Sequence, residues 1–425
     1  MRILFVLGDF AAPPRTGPQR LDYLLLRYLL DHGFECKLFG FLRPGIDTDL
    51  EAAAREFPGL EVAGLFRWRH GYATETALGW AQNAILGRRI GYRTFESALE
   101  NALRDPALDL VHVEGVALAG WIGKITNKPL VFNELDAMSL NQQRLCEEAP
   151  GKLGKLRYYM GANLARHIER TTLPRVTKAL VYSPVDAQYL RSTVPGADVE
   201  CVGVSVPEPA PGARDLLSND DTLEPRILFS GELQGHLGRA LLWFLNEVHP
   251  KIELAVPGLK TTIIGRGGAF PALARAMEKT PGISVMDWVE NYDAEVAAAC
   301  VFVAPDRCGT GIKNRVVTAM ALGCPVVGTS VAFEGIPIET WAARFRCDAA
   351  DRFAQSVVAL LQDRSLRQRT GEAARHFALT RYSITNVGLR WVEFYHRAIA
   401  KFAGTVSKAA QTSEKALAAG SAAQV

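Results

Sequence analysis

Short apolar runs alternate along the chain with segments whose apolar residues recur every three or four positions. Ile3 to Leu7 is the first such run, and it ends at Gly8-Asp9. Residues 36–40 predict the next strand. Between the two strands, after a loop rich in Pro, Gly and Arg, apolar residues repeat at helical spacing: Leu21, Leu24, Leu25, Tyr28 and Leu29. This order of strand, helix and strand is typical of a doubly wound parallel sheet.

The same alternation continues on both sides of a compositional break. Residues 206–225 are rich in proline and then in polar residues, which predicts an interdomain linker. Residues 50–105 are predicted to be mostly helical. With 425 residues the chain is long enough for two cores. Strand-like apolar runs occupy 110–115, 129–132 and 179–183 before the break, and 226–231, 261–264, 283–286 and 301–303 after it.

The pattern therefore predicts an α/β protein with two doubly wound Rossmann-like domains facing a cleft. The first domain is residues 1–205 and the second is residues 226–385. Residues 404–425 are rich in Ala, Ser, Gly and Lys and lack aromatics, which predicts a disordered tail. Helix 386–403 has an apolar stripe that predicts a docking face, formed by Val387, Trp391, Phe394, Tyr395 and Ile399.

The stretch from Ala304 to Ile336, APDRCGTGIKNRVVTAMALGCPVVGTSVAFEGI, carries the most specific pattern in the chain. Its apolar start leads into Gly309 and Gly311, which let backbone amides come close to a ligand. Lys313 and Asn314 stand where a helix begins, and a helix N-terminus beside basic side chains is suited to bind an anion. We interpret this loop as a site for the diphosphate of a nucleotide-sugar. An ordinary βα turn is the alternative, because such turns are often rich in glycine.

Two carboxylates follow strands of the first half. Glu114 ends the run that begins at Leu110, and Asp136 comes shortly after Phe132. The carboxyl ends of parallel strands are where such sheets bind ligands. The two residues are therefore candidates for hydroxyl binding or acid/base chemistry, with helix capping and loop contacts as the alternative roles.

Composition and charge exclude several function classes. The net charge of +3 is too small to indicate a nucleic-acid partner. The seven cysteines are scattered without a Cys-x-x-Cys pair, so neither a zinc site nor a disulfide framework is indicated, which fits a reducing cytosol. No apolar run reaches the ~18 residues of a membrane-spanning helix. Gly8 is not followed by a second glycine until Gly17, so a nicotinamide-type cofactor is not supported.

Residues 152–170 predict a basic helix that contains Tyr158, Tyr159 and Met160. Such a helix fits contact with an anionic membrane surface. It also fits a solvated face of a soluble protein. We expect a cytoplasmic protein, with a peripheral position at the inner face of the membrane as the alternative.

The order of elements and the run GTGIKNRVVTAMALGCPVVGTSVAFEGI resemble group 1 (family 4-like) glycosyltransferases of the GT-B fold. Ser230-Gly231 and Asp287-Trp288-Val289 resemble the same family. The first half does so more loosely, through LDLVHVEG, PLVFNELDAMS and ALVYSPVDAQYL. The resemblance implies transfer of a hexosyl group from a nucleotide-sugar, usually with retention at the anomeric carbon and without a bound metal or other cofactor. It also implies a C-terminal helix that crosses back to the first domain.

The resemblance further implies roles for individual residues. Lys313 and Arg307 would neutralise the leaving diphosphate. Glu114 or Asp136 would orient the acceptor hydroxyl, since the first domain holds the acceptor in this family. The other positions that match binding segments are Asp9, Arg15 and Gly17 on the acceptor side, and Gly231, Arg266, Trp288, Val289, Gly309, Thr310, Gly311, Ile312, Asn314 and Thr318 on the donor side.

Departures from the family pattern keep other functions open. Thr310 and Thr318 stand where many members carry a Glu-x7-Glu pair, and no His follows the strand at 129–132. Arg239 comes too late after Gly231 for the basic pair that is common there. A non-catalytic GT-B partner or regulatory subunit is therefore one alternative, and a sugar-nucleotide epimerase is another. The donor sugar, its base and the acceptor (glycan, lipid-linked sugar, metabolite or protein) stay open at this point.

Overall fold

The structure, a computed structural model, describes residues 1–14, 16–42, 55–86, 90–125, 127–208, 224–338 and 340–422. Arg15 and most of the predicted linker lie outside these ranges. The chain forms two units. The first comprises Met1–Ser139, Asn163–Val202 and Gly388–Val425, and the second comprises Leu140–Ala162 and Gly203–Val387.

The first unit is built on a seven-stranded parallel sheet with the order β3-β2-β1-β4-β5-β6-β7. Its central strands are continuous apolar runs, as expected for strands covered on both faces. Ile3 lies opposite Leu110, and Leu7 lies opposite Glu114. The strands are β1 (Arg2–Phe10), β2 (Glu35–Leu42), β3 (Glu61–Arg67), β4 (Leu110–Glu114), β5 (Leu130–Leu135), β6 (Lys178–Val181) and β7 (Val199–Cys201).

Helices connect these strands, and local capping sets where they begin. The Thr16 hydroxyl accepts a hydrogen bond from the backbone amide of Gln19 at 3.4 Å, which starts the first helix. The helices up to β7 are α1 (Gly17–Asp31), α2 (Tyr72–Leu86), α3 (Arg93–Ala102), α4 (Met138–Glu148), α5 (Gly151–Thr172) and α6 (Pro184–Thr193), with 3₁₀ helices at Val116–Lys124 and Leu173–Arg175.

The second unit contains a five-stranded parallel sheet with the order β10-β9-β8-β11-β12. Its core includes Phe229, Phe244, Val301 and Phe353, all fully buried. The strands are β8 (Arg226–Ser230), β9 (Lys260–Ile264), β10 (Ile283–Met286), β11 (Val301–Ala304) and β12 (Val326–Gly328). The helices are α7 (Gly235–Trp243), α8 (His249–Ala255), α9 (Pro271–Lys279), α10 (Tyr292–Ala297), α11 (Asn314–Ala321), α12 (Thr340–Ala343), α13 (Ala350–Gln362) and α14 (Arg364–Tyr382), with a π-helical turn at Phe244–Val248.

The last helix, α15 (Ile384–Ala422), begins in the second unit and belongs to the first unit from Gly388 onward. This confirms the crossing helix. Its predicted stripe is buried at Trp391, Phe394 and Tyr395. The Tyr395 hydroxyl lies 2.7 Å from Nδ1 of His112, a buried residue of β4.

The structure corrects three expectations from the sequence. The segment 50–105 contains the strand β3, which was missed because it is an edge strand with exposed positions rather than a continuous apolar run. The tail expected to be disordered from residue 404 continues as helix to Ala422, because its Ala, Lys, Glu and Gln residues are good helix formers. Residues 140–162, placed in the first domain by sequence, belong to the second unit.

Gly388 gives a test of how α15 is held. A Cβ on Gly388 would lie 2.4 Å from the ring of Tyr28, which is itself buried and stacked on His32. A Cβ on Gly404 of the same helix would meet nothing within 4 Å. Gly388→Ala should therefore lower the free energy of unfolding by about 1–3 kcal/mol, because the added methyl group overpacks the contact with Tyr28. Gly404→Ala adds a methyl group in open space, so it should raise the free energy of unfolding by about 1 kcal/mol through helix propensity. Equal thermal midpoints for the two variants would contradict this packing.

Candidate active site

In the second sheet the strand order reverses between β8 and β11. The chain runs outward from β8 to β9 and β10 on one side, and from β11 to β12 on the other, so this is the switch point of the sheet. Ligands of doubly wound folds bind at such points. Gly231 follows β8, and a Cβ there would come within 2.4 Å of the Leu237 side chain. Gly309 and Gly311 follow β11 with φ angles of 119° and 74°, a region that favours glycine. The predicted loop therefore has the glycine-dependent backbone that close approach to a ligand requires.

Lys313 lies under this loop rather than on its surface. It is 8% exposed and immediately precedes α11, as the sequence predicted. Its ammonium donates hydrogen bonds to the carbonyl oxygens of Thr310 at 2.7 Å and Gly311 at 2.8 Å. A buried cation thus lies beside the N-terminus of an α-helix, and both would attract an anion.

Several buried polar atoms around the loop have no hydrogen-bond partner within the part of the chain that the structure describes. They include the Thr310 hydroxyl, the side-chain oxygen of Asn314, one terminal nitrogen of Arg239, Oδ2 of Asp306 and Nε of Arg315. A buried polar atom without a partner costs about 1–3 kcal/mol. Such atoms mark places where a ligand or water completes the hydrogen bonding.

The acidic group of the loop, Asp306, is already paired. It is 1% exposed and forms an ion pair with Arg315. Burial opposes ionisation of this carboxyl, but the charges of Arg315 and Lys313 outweigh burial and hold its pKa below the usual value. The Thr329 hydroxyl donates to the Asp306 carbonyl and so ties β12 to the loop.

His236 is a site residue that the sequence reasoning missed. It lies in the first turn of α7, and its Nε2 is 3.6 Å from the position of a Cβ on Gly309. Burial lowers the pKa of His236, the charge of Asp306 opposes this, and the charges of Arg315 and Lys313 lower the pKa further. The imidazole is therefore neutral at physiological pH and offers one N–H donor to a ligand in the loop.

Arg239 lies near the loop despite its distance along the sequence. By sequence it comes too late after Gly231 for the basic pair that is common in the resembled family. Because α7 begins only at Gly235, Arg239 lies one turn beyond His236, and its charge reaches both His236 and Cys308. Distance along the sequence was a poor guide because the turn before α7 absorbs the extra residues.

Arg144 joins the site from a distant part of the sequence. Its Nη1 donates to the Gly309 carbonyl at 2.8 Å and to Oε1 of Glu334 at 2.6 Å. Arg144 lies in α4, within the segment that belongs to the second unit. Glu334 stands inside the motif AFEGI, which is a signal that could have been used. Nothing in the sequence around Arg144 indicates this contact.

The other predicted donor residues divide into two groups. Ile312 and Thr318 are buried, so Thr318 belongs to the buried face of α11 and not to its exposed face. Arg307 is exposed, with its guanidinium 4.9 Å from the centre of the Trp243 ring. The remaining three residues follow β9 and β10 at exposed or half-buried positions: Arg266, Trp288 and Val289.

The first sheet has its own switch point, between β1 and β4, and a buried carboxyl pair lies there. Glu114 is 5% exposed and accepts a hydrogen bond from Asn133 at 2.6 Å, and Asn133 also donates to the Tyr182 hydroxyl at 2.9 Å. Asp22 of α1 shares a hydrogen bond with Glu114. Sequence reasoning missed Asp22, which occupies a polar position in an otherwise apolar helix face.

The pair binds a proton more tightly than isolated carboxyls do. Burial raises the pKa of Asp22 from 3.8 to about 7, and the charge of Asp9 adds to this. Burial, and then the charge of Asp22, raises the pKa of Glu114 well above its usual value. Two carboxyls in one buried site therefore share a proton, since both cannot ionise cheaply.

The remaining acceptor-side residues lie near the same edge of the first sheet. Asp9 is near the end of β1, and Gly17 is the first residue of α1. Asp136 is half-buried and follows β5. The amide of the next residue, Ala137, donates to Asp186 at 3.1 Å, so this turn has a structural role as well.

One continuous segment of the second unit matches a known family. The family model described as "Glycosyl transferases group 1" matches residues 224–363. Residues 224–363 form a group 1 glycosyltransferase domain. The predicted loop, α11 and the Glu334 motif all lie within this glycosyltransferase domain, whereas Arg144 lies outside it.

One curated relative matches over a shorter segment. It is a Klebsiella pneumoniae protein described as an uncharacterized 44.6 kDa protein in the cps region, 32% identical over 116 residues. That segment is 26% of this chain and 30% of the relative, so the match spans under a third of the relative's length.

Solved structures match over nearly the whole chain. The sucrose-phosphate synthase of Thermosynechococcus elongatus has a TM-score of 0.66 and 15% identity, with 94% of this chain and 100% of that chain covered. Anabaena HepE, solved in complex with UDP and glucose, has a TM-score of 0.61 and 12% identity, with 93% and 99% covered. These similarities confirm the GT-B fold. In the described part of the chain, no helix combines the length and apolar character needed to cross a bilayer.

The proton shared by Asp22 and Glu114 predicts a pH dependence of stability. Between pH 3.8 and about 7 the unfolded chain loses the Asp22 proton that the folded protein keeps, so the free energy of unfolding falls as pH rises through this window. Asp22→Asn should reduce this fall, although the buried Glu114 keeps its own part of it, and should stabilise the protein at pH 8 by on the order of 2 kcal/mol. Asp31→Asn, at the exposed end of α1, is the matched control. Parallel thermal midpoints of wild type and Asp22→Asn from pH 4 to pH 8 would argue against the shared proton.

Proposed function

We propose that the protein is a glycosyltransferase that moves a hexosyl group from a nucleotide-sugar donor to a hydroxyl acceptor. One observation carries the proposal: the loop of Gly309 and Gly311 combines a buried Lys313 ammonium, a helix N-terminus and unpartnered polar atoms at the switch point of the second sheet. Together these groups suit the diphosphate of the donor.

Basic side chains outnumber acidic ones around this loop, which supports neutralisation of the leaving diphosphate without a metal ion. Of the acids near the loop, Asp306 and Glu334 each pair with an arginine, and the charge of Glu148 reaches Cys308. Lys313, with the amides that begin α11, would take the charge that develops as the glycosidic bond breaks. The neutral His236 would donate one further hydrogen bond. Arg307, exposed beside the loop, would add its charge when the donor is bound.

The acceptor side is proposed for the first unit, at the carboxyl pair of Asp22 and Glu114. A buried carboxylate can accept a hydrogen bond from a sugar or lipid hydroxyl and so orient its oxygen. Asp22 would position Glu114 by holding the shared proton. Asp136, Asp9 and Gly17 lie along the same sheet edge and would line the approach. Attack on the face from which the diphosphate leaves would retain the anomeric configuration, as the family resemblance implies.

Two comparisons support the class of donor and a role in carbohydrate biosynthesis. Anabaena HepE was solved with UDP and glucose, which supports a uridine diphosphate sugar as the donor. The Klebsiella relative is described by its cps region, which supports a role in carbohydrate biosynthesis. The acceptor would then be a glycan or a lipid-linked sugar.

Lys313→Ala tests the donor side. Loss of this cation should reduce turnover of the nucleotide-sugar by a factor that corresponds to ~2–4 kcal/mol of transition-state stabilisation. Lys279→Ala, an exposed residue at the end of α9 in the same unit, is the matched control and should retain full activity. The rate of UDP release from UDP-sugars measures both. Wild-type turnover by Lys313→Ala would remove this residue from the mechanism.

Calorimetry with a panel of nucleoside diphosphates separates the alternatives. Absence of any binding by the wild-type protein would favour a non-catalytic GT-B partner or regulatory subunit, the function that Thr310 and Thr318 in place of glutamates keep open. Interconversion of a nucleotide-sugar without release of nucleoside diphosphate would instead identify an epimerase. Release of diphosphate that depends on an added acceptor extract supports the transferase.

Glu114→Gln tests the acceptor side separately. The amide cannot share a proton with Asp22 or act as a carboxylate, so transfer of labelled sugar to an acceptor extract should fall at least about tenfold. Binding of UDP should be unchanged, because Glu114 belongs to the other unit. Glu100→Gln, which removes a surface ion pair with Lys124, should behave as wild type. Normal transfer by Glu114→Gln would exclude the pair from acceptor chemistry.

A further inference from the structure

The first three turns of α5 expose large apolar side chains to solvent. Leu153 is 84% exposed, Leu156 is 54% exposed, and Tyr159 and Met160 are both 62% exposed. Exposed apolar residues are ordinary when scattered, but a contiguous group marks an interaction surface. We call these four residues the α5 ridge.

The spacing of the ridge gives it one direction. At about 100° per residue, Leu153, Leu156 and Met160 fall within a sector of about 60° on the helix. The residues Ala162 and Ala165, about 120–180° around the helix from Leu153, are buried. The helix is therefore held to the protein by one face while the ridge is presented outward.

Cations border the ridge on both sides. Around the helix, Lys152 lies between Leu156 and Tyr159, Lys155 lies beyond Tyr159 and Arg157 lies beyond Leu153. All three are exposed. The sequence from 151 to 168 contains no acidic residue. Long basic side chains beside an apolar stripe can extend their charges to phosphate groups while the stripe enters the acyl boundary.

We propose that the α5 ridge docks the protein on the surface of an anionic lipid bilayer. A second copy of the chain would cover the apolar residues but would place two sets of like charges together. An anionic bilayer satisfies both features, because the leucines and methionine enter the lipid, the tyrosine lies at the interface and the cations meet the headgroups. This inference does not depend on the proposed transfer chemistry.

Vesicle sedimentation with the full-length protein tests the proposal. Wild-type protein should sediment with phosphatidylcholine vesicles that contain phosphatidylglycerol and should bind pure phosphatidylcholine vesicles at least tenfold more weakly. Each cation near an anionic surface contributes about a fivefold effect, so high salt should reduce binding markedly. Absence of binding to both kinds of vesicle would overturn the proposal.

Paired variants locate the contact. Leu153→Glu combined with Leu156→Glu should abolish sedimentation, and Lys152→Gln combined with Lys155→Gln should weaken it about 25-fold. Leu254→Glu is the matched control, since Leu254 in α8 is 86% exposed, and it should bind vesicles as wild type does. Unchanged thermal midpoints would verify that the variants fold.

Light scattering tests the alternative that a second copy of the chain covers the ridge. A wild-type dimer that becomes monomeric in the Leu153→Glu, Leu156→Glu variant, without vesicle binding by wild type, would assign the ridge to self-association and overturn the lipid assignment. A monomer of both proteins, with sedimentation lost only in the variant, would support it. Vesicle binding by the variant equal to that of wild type would also overturn it.

Discussion

The buried ammonium of Lys313 is the interaction on which the loop of Gly309 and Gly311 depends. Two loop carbonyls hold it, at 2.7 and 2.8 Å, beside the first turn of α11. Placing a cation there costs solvation energy, which the two carbonyl hydrogen bonds and the nearby charge of Asp306 offset in part. The glycines, the neutral His236 and the paired acids around it all serve the same electrostatic arrangement. Arg144 and Glu334 then fix the loop at Gly309, so that the cation and the amides keep their directions.

The two sheets carry polar groups of opposite charge at their switch points. In each, polar groups collect where neighbouring strands continue to opposite sides. The second unit fills this position with cations and amides suited to phosphate. The first unit fills it with Asp22 and Glu114, whose raised pKa values reflect burial of acidic groups. One backbone plan thus collects cations and amides in one unit and a proton-sharing acid pair in the other.

The sequence predicted the features that depend on local pattern. The strands with continuous apolar runs, the position of Lys313 before α11 and the crossing helix followed from periodicity, glycine placement and family resemblance. The sequence did not predict the features that depend on contacts between residues far apart in the chain. The edge strand β3 has no buried run, and helix α4 has no sign of the contact between Arg144 and Gly309, because that contact joins residues far apart in sequence. Asp22 was hidden for the same reason, since only the tertiary fold brings it to Glu114.

The segment 140–162 has a consequence for modularity. The chain passes between the two units after Ser139, Ala162, Val202 and Val387, so the second unit is not one continuous piece of sequence. A gene fragment that encodes only residues 203–387 would lack Arg144. It would therefore lack the hydrogen bond from Arg144 to the Gly309 carbonyl. Recombination that exchanges the contiguous glycosyltransferase domain between relatives would therefore separate the loop from its support. The partner of Glu334 must be inherited from the other half of the gene, which ties the evolution of the two halves together.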